Sequence, residues 1–430
     1  MTRAYAGAAA DLRPALPVDA EPTWPGAVWV GSIDIAAVHP HRGYRLHGGE
    51  GYAKVRLLVR RDREVLGFVE LPVTASQVDA AALHAAVDEL CEHTVAADDR
   101  VTHQPITVVV CTRDRVEMLK QALASILALD HPDLTVIVVD NAARTAATRD
   151  YVAGLDDPRI RLIVEPLPGL ARARNAGLLA ARTDIVAFTD DDVVVDHHWL
   201  TGLTDGFARG DAVACVCGIV PSGEIRTPAQ AYFDQRVGWA RSCQPRVYRT
   251  DSPPADVPLF PFQVGIYGTG ANFAVRRSVM FELGGFDEAL GVGAPTCGGE
   301  DLDMFFRVLH AGWQLVYEPS AVVWHRHRAD SAALADQARG YGLGLGSWMT
   351  KIAANPATAR LAVRTAVTKA PTFLRFSYRM SKVASPPSAL GAELPDRVGV
   401  LELKSILKGP RAYRAARKQG RRAAPLKATT

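Results

Sequence analysis

The sequence predicts an α/β protein, a mostly parallel β-sheet flanked by helices, over residues 104–330. Short continuous runs of β-branched residues recur there, and each is followed by a stretch of helical spacing. That alternation makes a parallel sheet buried on both faces. Several runs also end in polar residues, at the strand ends where such sheets bind ligands.

The elements follow in order. Ile106 to Cys111 reads as a strand, Val116 to Leu129 as a helix, and Leu134 to Val139 as a second strand ending in Asp140. A helix from about Ala146 to Leu155, a strand from Ile160 to Val164 and a helix from Leu170 to Ala181 come next. Ile185 to Thr189 is a fourth strand, leading into Asp190, Asp191 and Asp192.

The flanks read differently. Residues 1–24 mix Ala, Pro, Asp and Glu without an apolar core, which predicts a disordered tail and no signal peptide. Residues 25–100 hold three β-rich runs, Val28 to Ile35, Ala53 to Val59 and Val65 to Leu71, then a helix from Ala80 to Leu90 that Asp79 can cap. They predict a small β-rich module with one helix. Residues 331–430 read as a helical, basic extension, glycine-rich from Gly340 to Gly346 and linker-like from Ser385 to Pro395.

Composition narrows the function. The 430 residues are 48% hydrophobic and 22% charged, ordinary for a globular chain, and the net charge of +3 gives no ground for nucleic-acid binding. The six cysteines are sparse and form no CxxC pair, so they read as reduced thiols of a cytoplasmic protein, with Cys215 and Cys217 in the core. No run of about 18 apolar residues occurs, so no membrane span is expected. Between Leu401 and Thr430, lysines and arginines crowd the chain from Lys404 to Lys427, against one acid, Glu402. With Arg360 to Lys382, that segment suits peripheral contact with the anionic inner face of a membrane, or equally a solvated helical domain packed on the core.

Five clusters carry chemistry. Asp190 and Asp192 are two residues apart, so in an extended segment both face one side and can share a Mg²⁺ or Mn²⁺ ion. The bland reading is a solvated acidic loop before His198 and Trp199. Gly298-Gly299-Glu300-Asp301 opens a helical run. Its acids suit a helix N-terminus, or supply a carboxylate base on a glycine turn. His325 and His327 are candidate metal or diphosphate contacts, or plain polar ends of a strand. Arg174 suits a phosphate or ribose edge, or a solvated helix face. Gly268-Thr269-Gly270-Ala271-Asn272 would let backbone approach a ligand, but lacks the lysine of a phosphate loop.

In this order the motifs resemble the family 2 glycosyltransferases, which have the GT-A fold. The matching segments are Val108 to Arg115, Val138 to Asn141, Ala173 to Gly177, Phe188 to Asp192 (the DxD motif), Gly284 to Glu288, and Gly299 to Asp301. They cover about half the chain, from Ile106 to about His327. The resemblance implies that Thr112, Arg113 and Asp140 frame the nucleoside, with Arg174, Asp190, Asp191, Gly270 and Asn272 also on the donor. It implies Asp192 as first metal ligand, with Asp190 and His325 completing the site. Asp301 would be the general base and Glu300 its support. The implied reaction is an inverting, metal-dependent transfer from a nucleotide sugar, most simply a UDP-sugar, to an acceptor hydroxyl. The acceptor is a lipid carrier, a glycan, a small metabolite or a protein. The QxxRW motif of processive synthases is missing, and Gln337 to Tyr341 matches it only in part, which favours transfer of one or a few sugars.

Two other classes compete. A nicotinamide dehydrogenase needs G-x-G-x-x-G after the first strand, whereas this turn reads Cys111-Thr112-Arg113-Asp114-Arg115. A non-catalytic sugar-nucleotide-binding scaffold on the same fold is disfavoured by the intact acids Asp190, Asp192 and Asp301.

Overall fold

The computed structural model describes residues 10–17, 20–92, 104–238, 240, 242–369 and 398–420. The linker-like stretch from Ser385 to Pro395 and the far end of the basic tail lie outside them.

The first part of the chain forms β1 (Ala10–Leu12), β2 (Val28–Asp34), β3 (Tyr44–Leu46), β4 (Lys54–Arg61), β5 (Glu64–Pro72), β6 (Gln77–Val78) and α1 (Ala80–Glu92). The order begins earlier than the sequence predicted. β1 pairs parallel with β3, and Leu16 is buried, so the expected disorder up to residue 24 does not extend over these residues. Leu16 reaches its burial by packing against the backbone at Gly223. β2, β4 and β5 make a three-stranded sheet, with Asp62 at positive φ in the hairpin turn. Asp79 accepts a hydrogen bond from the Ala82 amide and so caps α1. This part is held on the rest by ion pairs, of which Arg60–Asp196, at 2.7 Å, is buried on both sides.

The central sheet has nine strands. They are β7 (Ile106–Thr112), β8 (Leu134–Asn141), β9 (Ile160–Glu165), β10 (Ile185–Asp190), β11 (Val193–Val195), β12 (Val213–Ile219), β13 (Arg246–Tyr248), β14 (Asn272–Arg276) and β15 (Gln314–His325). Their order is β11-β15-β12-β14-β10-β7-β8-β9, with β13 on β15. β10, β7, β8 and β9 run parallel, as the apolar runs predicted. β14 runs antiparallel between β10 and β12, so the sheet is mixed at its middle. Every residue of β7 and β12 is buried. Cys215 and Cys217 sit in that core, 3.9 Å apart at sulfur, and no described cysteine is in a disulfide.

Among the described residues, helices α2 (Val116–Leu127), α3 (Ala147–Ala153), α4 (Leu170–Ala180), α5 (Trp199–Phe207), α6 (Pro228–Arg236), α7 (Arg277–Glu282) and α8 (Glu300–His310) follow. α2 and α5 pack on one face of the sheet and α4 and α8 on the other. Gly177 lets α4 press onto Val109 of β7, where a Cβ would collide with that side chain.

Beyond β15 come α9 (Ser331–Ala354), α10 (Pro356–Thr368), α11 (Val398–Ile406) and α12 (Gly409–Gly420). The glycine-rich stretch lies inside α9. Glycine normally costs a helix about 1 kcal/mol against alanine, and close packing offsets that here. Gly342 and Gly346 leave room for the backbone of α11 at Glu402 and Ile406, while Gly344 touches the Gly298-Gly299 turn. That turn sets the start of α8. Gly299 has φ 92°, and a Cβ there would stand 2.8 Å from the Gly344 carbonyl oxygen. Gly299→Ala is therefore expected to lower stability by about 1–3 kcal/mol. Denaturant unfolding measures it, and a change within error would refute the packing argument.

Candidate active site

Strand register brings the acids together. β10 runs parallel to β7 and β8, so Thr112, Asn141 and Asp190 emerge at one rim. The chain then turns through Asp191 and Asp192 into β11. β11 pairs antiparallel with β15, which sets His325 opposite Val193. The His325 Nε2 atom thus lies 3.5 Å from Asp192 Oδ1. Ligand atoms of Asp190, Asp192 and His325 all fall within 4.8 Å of one another. Burial holds the His325 imidazole below its usual pKa, so at neutral pH it is an uncharged donor.

The three aspartates differ in what they touch. Asp191 is nearly buried and spends both oxygens on protein. It accepts from Thr112 Oγ1 at 2.7 Å and from Arg115 Nη1 at 2.7 Å. Asp192 Oδ2 accepts from Arg115 Nη2 at 2.7 Å, with Arg328 at 3.7 Å. Despite burial, that positive surrounding, with His325, holds the Asp192 carboxyl below the ordinary range. Asp190 has a longer ion pair, with Arg174 at 3.6 Å. Burial, added to by Asp192 and Asp191, pushes its carboxyl up to about 7. Two carboxylates and a neutral imidazole, one carboxylate poorly compensated, are a donor set that fits Mg²⁺ or Mn²⁺.

On the opposite wall, α8 opens with Glu300 and Asp301. Asp301 Oδ2 accepts from the Gly270 amide at 2.9 Å, and Oδ1 from the Leu302 amide at 2.8 Å. Two amide donors at the helix N-terminus fix the position of this carboxylate. Glu300 Oε1 accepts from Arg174 Nη1 at 3.0 Å, and Arg174 Nη2 donates to the Gly270 carbonyl at 2.9 Å. Gly270 therefore holds Asp301 with its N–H and Arg174 with its C=O. Arg174 lies between the rings of Phe273 and Phe286 at 5.4 and 5.8 Å. Burial pushes Glu300 up to about 7 and Asp191 up to about 6.

Arg174→Ala removes the partner of a buried carboxylate and one tie to Gly270. A cost of about 3–5 kcal/mol is expected in denaturant unfolding. A loss under 1 kcal/mol would mean that the Glu300 pair is not structural.

One cleft of about 1480 Å³ takes in Thr112, Arg113, Arg174, Asp190, Asp191, Asp192, Gly270, Glu300, Asp301 and His325. Asp192 and Asp301 therefore face a common space. Several expected donor contacts differ. Asn272 is fully buried away from it: its amide donates to Ile219 and Ala321 carbonyls at 2.9 and 2.8 Å and its oxygen accepts from Trp199 at 2.8 Å. That side chain has nothing left for a nucleotide. Asp140 is 1% exposed beneath the rim, with Arg149 at 3.7 Å, and is not part of the cleft wall. Arg174 is not a surface clamp on ribose but a buried brace. His327 is buried, its ring tilted against that of Phe233 at 4.4 Å, and is not in the Asp190–Asp192–His325 group.

Sequence reasoning gave no role to Arg115 and Arg328, which charge-balance the aspartates. Arg115 closes the polar Thr112-Arg113-Asp114-Arg115 turn at the end of the first strand, and that position was the available signal. Arg328 carried none.

The sheet with its flanking helices is of the GT-A type, and the rim aspartates and the acidic helix start line one cleft of it. The chain belongs to glycosyltransferase family 2. The "Glycosyl transferase family 2" model matches residues 107–281. The succinoglycan biosynthesis protein ExoM of Rhizobium meliloti is 32% identical over 54% of this chain and 69% of that protein. The pre-mycofactocin glycosyltransferase of Mycobacterium tuberculosis is 30% identical over 53% of this chain, and the match spans only 44% of that longer protein. A mannosyltransferase from Pyrobaculum calidifontis, solved with GDP-Man and Mn²⁺, superposes with TM-score 0.46 at 19% identity, covering 77% of this chain and 79% of that one.

Proposed function

We propose that this chain transfers a single sugar from a UDP-sugar to an acceptor hydroxyl with inversion at the anomeric carbon. The observation that carries the reading is the shared cleft. The Asp190–Asp192–His325 group and the Asp301 carboxylate line one space, linked through Arg174 and Gly270.

Asp192, Asp190 and His325 would hold the Mg²⁺ or Mn²⁺ ion, with Asp192 first because its carboxyl stays ionised. When bound, that ion neutralises charge on the leaving nucleoside diphosphate. Arg113, exposed on the cleft wall, adds positive charge for the diphosphate. Asp301 Oδ1 or Oδ2, each already accepting one amide, takes the acceptor's proton with a remaining lone pair. The acceptor oxygen then attacks the anomeric carbon as the bond to the diphosphate breaks. The diphosphate leaves without needing a proton, so one catalytic carboxylate suffices. An α-linked donor gives a β-product.

The test is product formation followed by mass spectrometry across a panel of UDP-sugars and acceptors. Expected is a product that needs Mn²⁺ or Mg²⁺, disappears with EDTA and returns with excess ion. EDTA-resistant transfer would overturn the metal role.

Protonation gives a second check. Asp190, Asp191 and Glu300 hold protons in the fold at a pH where the unfolded chain has lost them. Alone, they make the metal-free fold less stable as pH rises from about 4 through about 7. Ion binding requires Asp190 to be ionised, so the rise in Tm on adding Mn²⁺ is expected to grow between pH 5 and 7.5. An equal rise at both pH values would contradict Asp190 as a ligand.

A further inference from the structure

The cleft does not stop at the acids. Past Asp301 its wall becomes apolar at Leu302 and continues along α9 and α10. On α10 the lining residues are Thr365 and an apolar set, Ala359, Ala362, Val363 and Ala366. The apolar set has the i, i+3, i+4, i+7 spacing of one helix face. Trp348 and Met349 of α9 line the same stretch. Met349 is 51% exposed and Val363 63% exposed. An apolar stripe open to water in this way, continuous with a reactive carboxylate, marks a ligand surface rather than a core.

Size separates two occupants. Ordinary small-molecule sites enclose roughly 300–1,000 Å³. The cleft, at about 1480 Å³, has room beyond a nucleotide sugar. Charge assigns the ends. The diphosphate belongs with Asp190, Asp192 and His325 through their ion, so the apolar end faces the acceptor. Arg360 and Arg364 lie off the stripe and are exposed.

We propose that the acceptor is an amphiphile. Its head group presents a hydroxyl to Asp301 while a long aliphatic chain lies along the α9–α10 groove. This rests on the sugar-transfer reading and adds the substrate class to it. Tight binding then grows with chain length, because each buried methylene contributes about 0.8 kcal/mol, or about fourfold in affinity.

The experiment is calorimetric binding of n-alkyl glucosides, ethyl to decyl, below their micelle concentrations, to the full chain with Mn²⁺ and UDP or GDP. Expected is a rise of up to about fourfold per methylene. Val363→Asp on α10 and, separately, Met349→Asp on α9 are each expected to flatten that rise, with folding followed by Tm. Val164→Asp, exposed on the far edge strand β9, is expected to keep it. A flat dependence in the unaltered chain overturns the proposal, as does a slope that both groove variants retain. Self-association that masks the groove, seen by sedimentation and lost in Val363→Asp, also overturns it. Titration with UDP and GDP alone keeps the two readings apart. If neither nucleotide binds, the sugar-transfer reading fails, whereas nucleotide binding without chain-length dependence removes only the amphiphile.

Discussion

Asp301→Asn is expected to lower kcat by about 10²–10⁴-fold, the usual worth of a positioned general base, and to leave the fold intact. The amide oxygen can still accept from Gly270, the 2.9 Å contact that fixes the carboxylate, while the Leu302 amide loses its acceptor, so a small fall in Tm accompanies the loss of rate. What is lost is basicity, because an amide cannot take the acceptor's proton. KM for the donor should change little, since the donor's charged end belongs to the opposite wall. Steady-state kinetics with separate variation of donor and acceptor reads this directly. A kcat within threefold of the parent would remove Asp301 from proton transfer. Glu300→Gln is a useful contrast: it weakens the Arg174 brace and should cost stability as well as rate.

Asp192→Ala is expected to abolish metal-dependent turnover. Charge stabilisation by the ion amounts to several kcal/mol, and each 1.36 kcal/mol is tenfold in rate, so a loss of at least about 10²-fold follows. The variant also leaves Arg115 and Arg328 without one of their partners. Free positive charge there can retain a diphosphate, so nucleotide binding should become independent of Mn²⁺ rather than vanish. Asp191→Asn is the control on the neighbouring residue. Its contacts to Thr112 and Arg115 are structural, and its effect should appear in Tm more than in metal affinity. Undiminished Mn²⁺-dependent transfer in Asp192→Ala would contradict the metal assignment.

Much of the sheet was legible because buried parallel strands write themselves as apolar runs. Ile106 to Cys111 and Leu134 to Val139 are examples, and the structure extends each by one or two polar residues at the rim. The middle of the sheet was not. β14 inserts antiparallel between β10 and β12, a pairing decided by sequence-distant partners that no local pattern encodes. The glycines of α9 had no local explanation for a related reason. Locally they disfavour a helix, and only the approach of Glu402, Ile406 and the Gly298-Gly299 turn explains them.

At the site, types of residue were legible but not their partners. Asp190, Asp192, Asp301 and His325 meet because of strand register and a helix start. Arg174 and Asn272, polar letters among the motifs, turned out to be buried braces, since only three-dimensional neighbours reveal which polar groups are already satisfied. The resemblance pointed to His325 rather than His327, and the β11–β15 pairing supplies the physical reason, because it sets one imidazole toward Asp192 while the other packs on Phe233.

The most direct measurement is anomalous diffraction at the manganese edge from crystals soaked with UDP and Mn²⁺. The expected result is one peak bonded to Asp192 and in contact with the diphosphate, within the Asp190–Asp192–His325 group. Bound UDP with no peak at that group, or with the ion held by other residues, would contradict the metal-centred cleft on which the proposed transfer depends.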